Sequence, residues 1–211
     1  MGRVAAAAAA RPLHLVLGLM LLWLAGCRTV PQPVAPRAPE QVAADWPARR
    51  AQLQARTDFT VQGRIGVAAG SDGFNGKLRW VQTGLRSAVS LDGPLGVGGV
   101  RIIDDAGALS LTTPSGEALD SQAAHDELVR RLGFEPPLGS LRFWLQGVPD
   151  PGTPSVESPN AQGYLGSLVQ SDWTVSIAAY MQTAEGPLPQ KLTMTRGDVR
   201  VRLVLDGWYA P

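Results

Sequence analysis

From Phe59 onward the sequence alternates between apolar and polar residues. That period restricts the fold more than any other feature of the chain. Phe59, Val61, Ile65 and Val67 alternate with Thr60, Gln62, Arg64 and Gly66. After a turn at Gly70-Ser71-Asp72-Gly73, the residues Phe74, Leu78, Trp80 and Gln82 alternate with Asn75, Lys77, Arg79 and Val81. Leu85, Val89 and Leu91 continue the pattern; Val100 and Ile102, then Leu109 and Leu111, follow after turns at Gly93 to Gly99 and Asp104 to Gly107. Side chains two apart on a strand share a face. Short, half-apolar runs bounded by turn residues predict an antiparallel meander with one buried face. The 24 Gly and 17 Pro in 211 residues suit a chain with many turns.

The period changes at Ser121. Ala124, Leu128 and Leu132 recur at four, with Gly133 placed as a helix stop. A second short helix is expected over Leu138 to Gln146, closed by Gly147 and Pro149. An earlier helix is expected near Asp45, which can cap it, with Pro47 in its first turn and Trp46 and Leu53 on one face. Residues 149–163, with four prolines, read as a polar loop. Strands resume at Tyr164 to Gln170, Trp173 to Tyr180, Lys191 to Arg196 and Val199 to Trp208. The expectation is a mainly β (α+β) domain of eight to ten strands with three helices.

The N-terminus is not part of that domain. Arg3 and Arg11 precede an apolar run from Pro12 to Ala25, which is too short to span a bilayer as a helix and fits a secretory signal. The run ends in Leu24-Ala25-Gly26-Cys27, and Cys27 is the single cysteine. Small residues before a cut and a thiol directly after it suit signal cleavage followed by lipidation. An ordinary signal with a chance cysteine is the alternative. The expected division is therefore a signal at 1–26, a lipid anchor and Pro-rich tether at 27–41, and a folded domain at 42–211. Pro31, Pro33, Pro36 and Pro39 keep the tether extended.

Composition removes several functions. One Cys and two His cannot build a Cys-rich or His-rich metal site. The formal net charge is +1, so bulk attraction to nucleic acid is not expected. Of the 19 basic side chains, Arg3 and Arg11 leave with the signal, so 17 face 18 acidic ones. Gly96-Val97-Gly98-Gly99 has Arg101 where the third glycine of the dinucleotide fingerprint would stand, so that motif fails. His125 lies beside Asp126 and Glu127, but no nucleophile elbow accompanies it. A solvated helix histidine is the plainer reading, and no enzyme or cofactor is expected beyond covalent lipid on Cys27.

A one-sided apolar sheet with helices to cover it is a natural container for acyl chains. The alternation nominates Ile65, Leu78, Trp80, Val89, Leu91, Ile102, Leu109, Val175 and Ile177 as cavity-lining positions. Simple packing against the helices is the alternative for each.

A set of short motifs occurs in order: Trp46, Gly63-Arg64-Ile65, Leu78-x-Trp80-x-Gln82, Gly93-Pro94-Leu95-Gly96, Leu141-x-x-Trp144-x-x-Gly147-x-Pro149, Gln170-x-x-Trp173 and Trp208. Behind a lipobox, this set resembles the outer-membrane lipoprotein receptor family LolB over nearly the whole mature chain. The resemblance implies an incomplete antiparallel β-barrel closed by a helical lid over an apolar cavity. It implies a monomer that receives acylated lipoproteins from the periplasmic carrier LolA and passes them into the inner leaflet of the outer membrane. It further implies that Pro94, Leu95, Gly96 and Val97 form a protruding loop whose Leu95 engages that bilayer. A lone apolar residue on such a tip is otherwise normally folded inward. A structural lipoprotein binding protein partners would instead have a filled core.

Overall fold

The computed structural model describes Gly2 and residues 38–93 and 99–210. Cys27 and the segment Pro94, Leu95, Gly96 and Val97 lie outside the described residues. Eleven strands form one sheet: β1 (Asp58–Ala69), β2 (Asp72–Thr83), β3 (Arg86–Asp92), β4 (Val100–Asp105), β5 (Ala108–Thr112), β6 (Ala118–Asp120), β7 (Ser155–Pro159), β8 (Leu165–Gln170), β9 (Trp173–Thr183), β10 (Gly186–Arg196) and β11 (Val199–Tyr209). Among the described residues three helices accompany them: α1 (Pro39–Gln54), α2 (Ser121–Leu132) and α3 (Leu138–Trp144).

The strand order is β6-β5-β4-β3-β2-β1-β11-β10-β9-β8-β7, with antiparallel pairing throughout. The first and last strands meet in the middle, where Ile65 faces Leu203 and Val67 faces Val201. The edges β6 and β7 do not pair with each other, so the barrel stays incomplete, as expected. Inward-facing residues from both halves of the sheet join one apolar core with α2 and α3.

One glycine is needed for closure at the centre. A Cβ on Gly63 would lie 2.3 Å from the Val204 carbonyl oxygen, and the β1–β11 register slips between Gln62 and Gly63. Only a residue without a side chain allows that approach.

Several elements depart from the sequence expectation. Helix α1 begins at Pro39, inside the stretch expected as tether, and Pro47 lies within it. Pro39 sits in the first turn, where a missing N–H costs no hydrogen bond. Leu85 is a turn residue and 59% exposed, not a core position. The expected loop at 149–163 contains β7, whose inward Glu157 hid the strand pattern. Glu157 is held by Arg50 at 2.6 Å and by the Trp46 indole N–H at 3.2 Å. Strand β10 starts at Gly186 and includes Pro187 and Pro189. Both precede the stretch paired with β11, where a missing ladder donor is tolerated.

Candidate functional site

An apolar cavity lies between the sheet and the segment after α2. Alternation places Ile65 of β1, Leu78 and Trp80 of β2, Val89 and Leu91 of β3 and Ile102 of β4 on its wall. Cross-strand register aligns them: Leu78 faces Leu91, Trp80 faces Val89, and Val89 faces Ile102. From the other half of the sheet come Trp173 of β9, Met194 of β10 and Leu203 of β11. Of the nine nominated positions, Leu109, Val175 and Ile177 are buried but are not on this wall. Leu109 belongs to β5, on which α2 packs, and Val175 and Ile177 fill the β9 part of the same core.

Half of the opposite wall belongs to α3, the short helix expected from Leu138; the other half, Phe134 to Pro137, escaped the periodicity because it is neither strand nor helix. Phe134, Pro136, Pro137, Leu138, Leu141 and Trp144 contribute most of it. Helix α2 stops at Gly133, whose φ of 79° is left-handed. Pro136 and Pro137 then bar helix until α3 begins at Leu138. Gly147, with φ of 77°, ends the segment. The roof of the cavity is thus bracketed by two residues in a backbone conformation that glycine adopts freely. The Gly-to-Gly spacing and the Phe134-Glu135-Pro136-Pro137 run were the available sequence signal.

The cavity holds about 60 Å³ and its wall is wholly apolar. A water needs roughly 10–15 Å³ on this measure and two to four polar partners. The space would fit about five waters but offers them no hydrogen bonds, so it suits an apolar occupant.

Glutamines allow the tryptophans to be buried. The Trp80 indole N–H donates to Gln82 Oε1 at 3.0 Å, and that oxygen also accepts from the Ser87 hydroxyl at 2.7 Å. The Trp144 indole N–H donates to Gln170 Oε1 at 2.8 Å. Gln170 also accepts from the Asp150 amide and donates to the carbonyls of Asp150 and Thr153. Each indole keeps its apolar body on the cavity side with its one donor satisfied. Trp173 differs: its N–H has no partner among the described residues, while the Arg196 guanidinium lies 4.7 Å from the ring centroid.

Helix α1 supports the roof from behind. Leu53 packs with Phe143 of α3, Val148 and Leu188 in a second, smaller core. Arg49 donates to the carbonyls of Glu185 and Pro187, and Gln54 to that of Pro149. Arg56 lies between Phe59 and Trp208, 5.4 and 5.6 Å from their centroids, with Glu185 at 2.9 Å. Burial lowers the Arg56 pKa from its ordinary value, and the nearby Glu185 carboxylate opposes that shift.

Burial raises the Tyr180 phenol pKa, and its hydroxyl donates to the Leu165 carbonyl at 2.7 Å. His125 sits on α2 with Nδ1 3.1 Å from the Ser121 carbonyl and Nε2 3.3 Å from Glu135. Neither neighbour is a nucleophile. Among the described residues no three His, Cys, Asp or Glu side chains gather as metal ligands, and no helix is long and apolar enough to cross a membrane.

Comparison with known proteins follows the same lines. The family described as outer membrane lipoprotein LolB matches residues 57–208. The chain is 32% identical to the outer-membrane lipoprotein LolB of Nitrosococcus oceani, over 92% of this chain and 95% of that one. It is 33% identical to the protein of the same name from Thiobacillus denitrificans, over 90% and 94%. Among solved structures, a DUF1329 family protein from Desulfovibrio piger shares the fold with a TM-score of 0.52 at 8% identity, covering 82% of this chain and 94% of the other. A LolA superfamily protein from Nitrosomonas europaea does so with a TM-score of 0.50 at 10% identity, covering 83% and 94%.

Proposed function

The chain belongs to the outer-membrane lipoprotein LolB family, and from that premise we propose that it accepts acylated lipoproteins from a soluble periplasmic carrier of the LolA type and inserts them into the inner leaflet of the outer membrane. The observation that carries this reading is the cavity with a wholly apolar wall, roofed by a segment with a glycine at each end. Each methylene kept from water is worth about 0.8 kcal/mol, so long acyl chains cannot cross the periplasm unshielded. A downhill transfer from carrier to receptor to bilayer needs a container, an opening and an anchor. It needs no catalytic group and no cofactor.

At about 60 Å³ the cavity as it stands takes only a few methylenes, so the roof moves when cargo enters. The Trp144 end is pinned to Gln170. The Phe134 to Leu141 end is the part that swings, with Gly133 absorbing the change.

Cys27 is the lipidated first residue of the mature protein, after loss of a signal at 1–26. Leu95, flanked by Pro94, Gly96 and Val97, enters the bilayer surface during delivery.

The test is transfer in solution. An unlipidated Cys27→Ser mature chain, mixed with carrier loaded with a triacylated lipoprotein, should strip the cargo and co-elute with it. Cargo that stays on the carrier would overturn the proposal.

A further inference from the structure

The side of the sheet away from the cavity carries a concentration of positive charge. Lys77 and Arg79 alternate with the cavity residues Leu78 and Trp80, so they point outward. By register Lys77 lies opposite Arg64, Arg64 opposite Val204, and Val204 opposite Lys191. Arg79 lies opposite Ser90, and Ser90 opposite Arg101. Arg200 and Arg202 of β11 extend the field. All seven cations are exposed. Only Arg64 makes an ion pair among the described residues, with Asp206 at 3.3 Å. Neighbouring strands are about 4.8 Å apart, so Lys77 and Lys191, three strands from each other, stand roughly 14 Å apart.

This is segregation and not excess, since the mature chain carries 17 basic against 18 acidic side chains. Two acids border the field, Asp92 opposite Lys77 and Asp206 beside Arg64, while the larger acidic group, Glu117, Asp120, Asp126, Glu127 and Glu135, lies on or beside α2. Arg64, Lys77 and Arg79 of this field line a surface groove together with Asp92 and Asp206.

We infer that this outward face of β2, β1, β11 and β10 is a docking surface for the anionic phospholipid headgroups of a bilayer. The inference rests on the delivery role proposed above and deepens it by saying how the domain lies on its membrane. Charge complementarity supports the assignment. A field of exposed Lys and Arg, only one of them in an ion pair, matches an array of exposed phosphates. Each such cation contributes about 1 kcal/mol at an anionic surface, a factor of about five. Lipid on Cys27 keeps the protein at the membrane, and the basic face then fixes which side of the domain faces the headgroups.

The test uses the mature chain with Cys27→Ser, so that no acyl anchor contributes. Vesicles of phosphatidylethanolamine with phosphatidylglycerol are compared with vesicles of phosphatidylcholine alone at low salt. The protein should partition onto the first and not the second, and added salt should release it. Lys77→Gln, Arg79→Gln and Lys191→Gln together should weaken partitioning on the order of 100-fold, at about fivefold per charge. Arg130→Gln on α2 should leave it unchanged. The triple variant should melt at the parent's temperature and still take cargo from the carrier in solution. Equal binding to both vesicle types, or partitioning unaffected by the triple substitution, would overturn the inference. So would retained vesicle binding with lost cargo acceptance, which would make this face a protein-docking surface. If the parent binds anionic vesicles but accepts no cargo, the delivery role fails while the lipid-facing surface stands.

Discussion

Gln170 fastens the fixed end of the roof, and Gln170→Leu isolates that role. The replacement is close in volume, so packing is nearly conserved. It leaves the Trp144 indole N–H, the Asp150 amide and the carbonyls of Asp150 and Thr153 without the partner they now have. Trp144 is fully buried, so its N–H bears the whole desolvation penalty of about 1–3 kcal/mol. Asp150 and Thr153 are partly exposed and recover water, adding about 1 kcal/mol between them. The sum is about 3 kcal/mol, a large share of the 5–15 kcal/mol that holds a typical domain together. For a domain of this size that corresponds to a melting temperature lower by roughly 10 °C. Urea unfolding followed by tryptophan fluorescence measures it. Trp144→Phe closes a double-mutant cycle and should couple to Gln170→Leu by about 1 kcal/mol. A Gln170→Leu variant within about 0.5 kcal/mol of the parent, or a coupling near zero, would show that the clamp does not hold the roof.

Other substitutions probe other links. Gly63→Ala drives a methyl group into the Val204 carbonyl and should cost more than about 2 kcal/mol by thermal unfolding, whereas Gly139→Ala, on a helix with open space around it and no left-handed φ, should not destabilise. Leu95→Glu should leave the melting curve and cargo acceptance intact while lowering cargo recovery in liposomes. Unfolding would make Leu95 a core residue, and normal delivery would make its loop a plain turn. Arg130 and then Arg131 hold the Glu127 carboxyl well below the usual range, at about 2. Its contribution is present above the ordinary carboxylate pKa and is lost as pH falls through about 2. Glu127→Gln should therefore destabilise by no more than about 1 kcal/mol at neutral pH, because Arg130 is largely exposed. That difference should vanish in acid, as urea titrations at several pH values would show.

The meander and α2 were legible because one chemical period ran through each. Phe59 to Val67 and Leu78 to Trp80 kept one face apolar, and Ala124, Leu128 and Leu132 kept another. Strand β7 was not legible because Glu157 occupies an inward position, satisfied by Trp46 and Arg50 from a helix about a hundred residues earlier. The α3 part of the roof was expected as a helix; the part before it was not legible because Phe134 to Pro137 has no period at all. Its role follows from the two glycines that bracket it. The basic face needed register: Lys77, Arg64 and Lys191 become neighbours only once β1 is known to pair with both β2 and β11. Six of the nine nominated cavity positions lie on the wall, and alternation alone could not separate them from Leu109, Val175 and Ile177, which point to the same side.

The account stands or falls on where the acyl chain goes. A triacylated lipoprotein with a photoreactive group at the end of one acyl chain can be transferred from carrier to the unlipidated receptor, irradiated and mapped by mass spectrometry. The account predicts crosslinks to both walls of the cavity, at Trp80, Leu91 and Ile102 from the sheet and at Leu138 and Leu141 from the roof. Crosslinks confined to the exposed outer residues Val156 and Val169, with none inside, would contradict it.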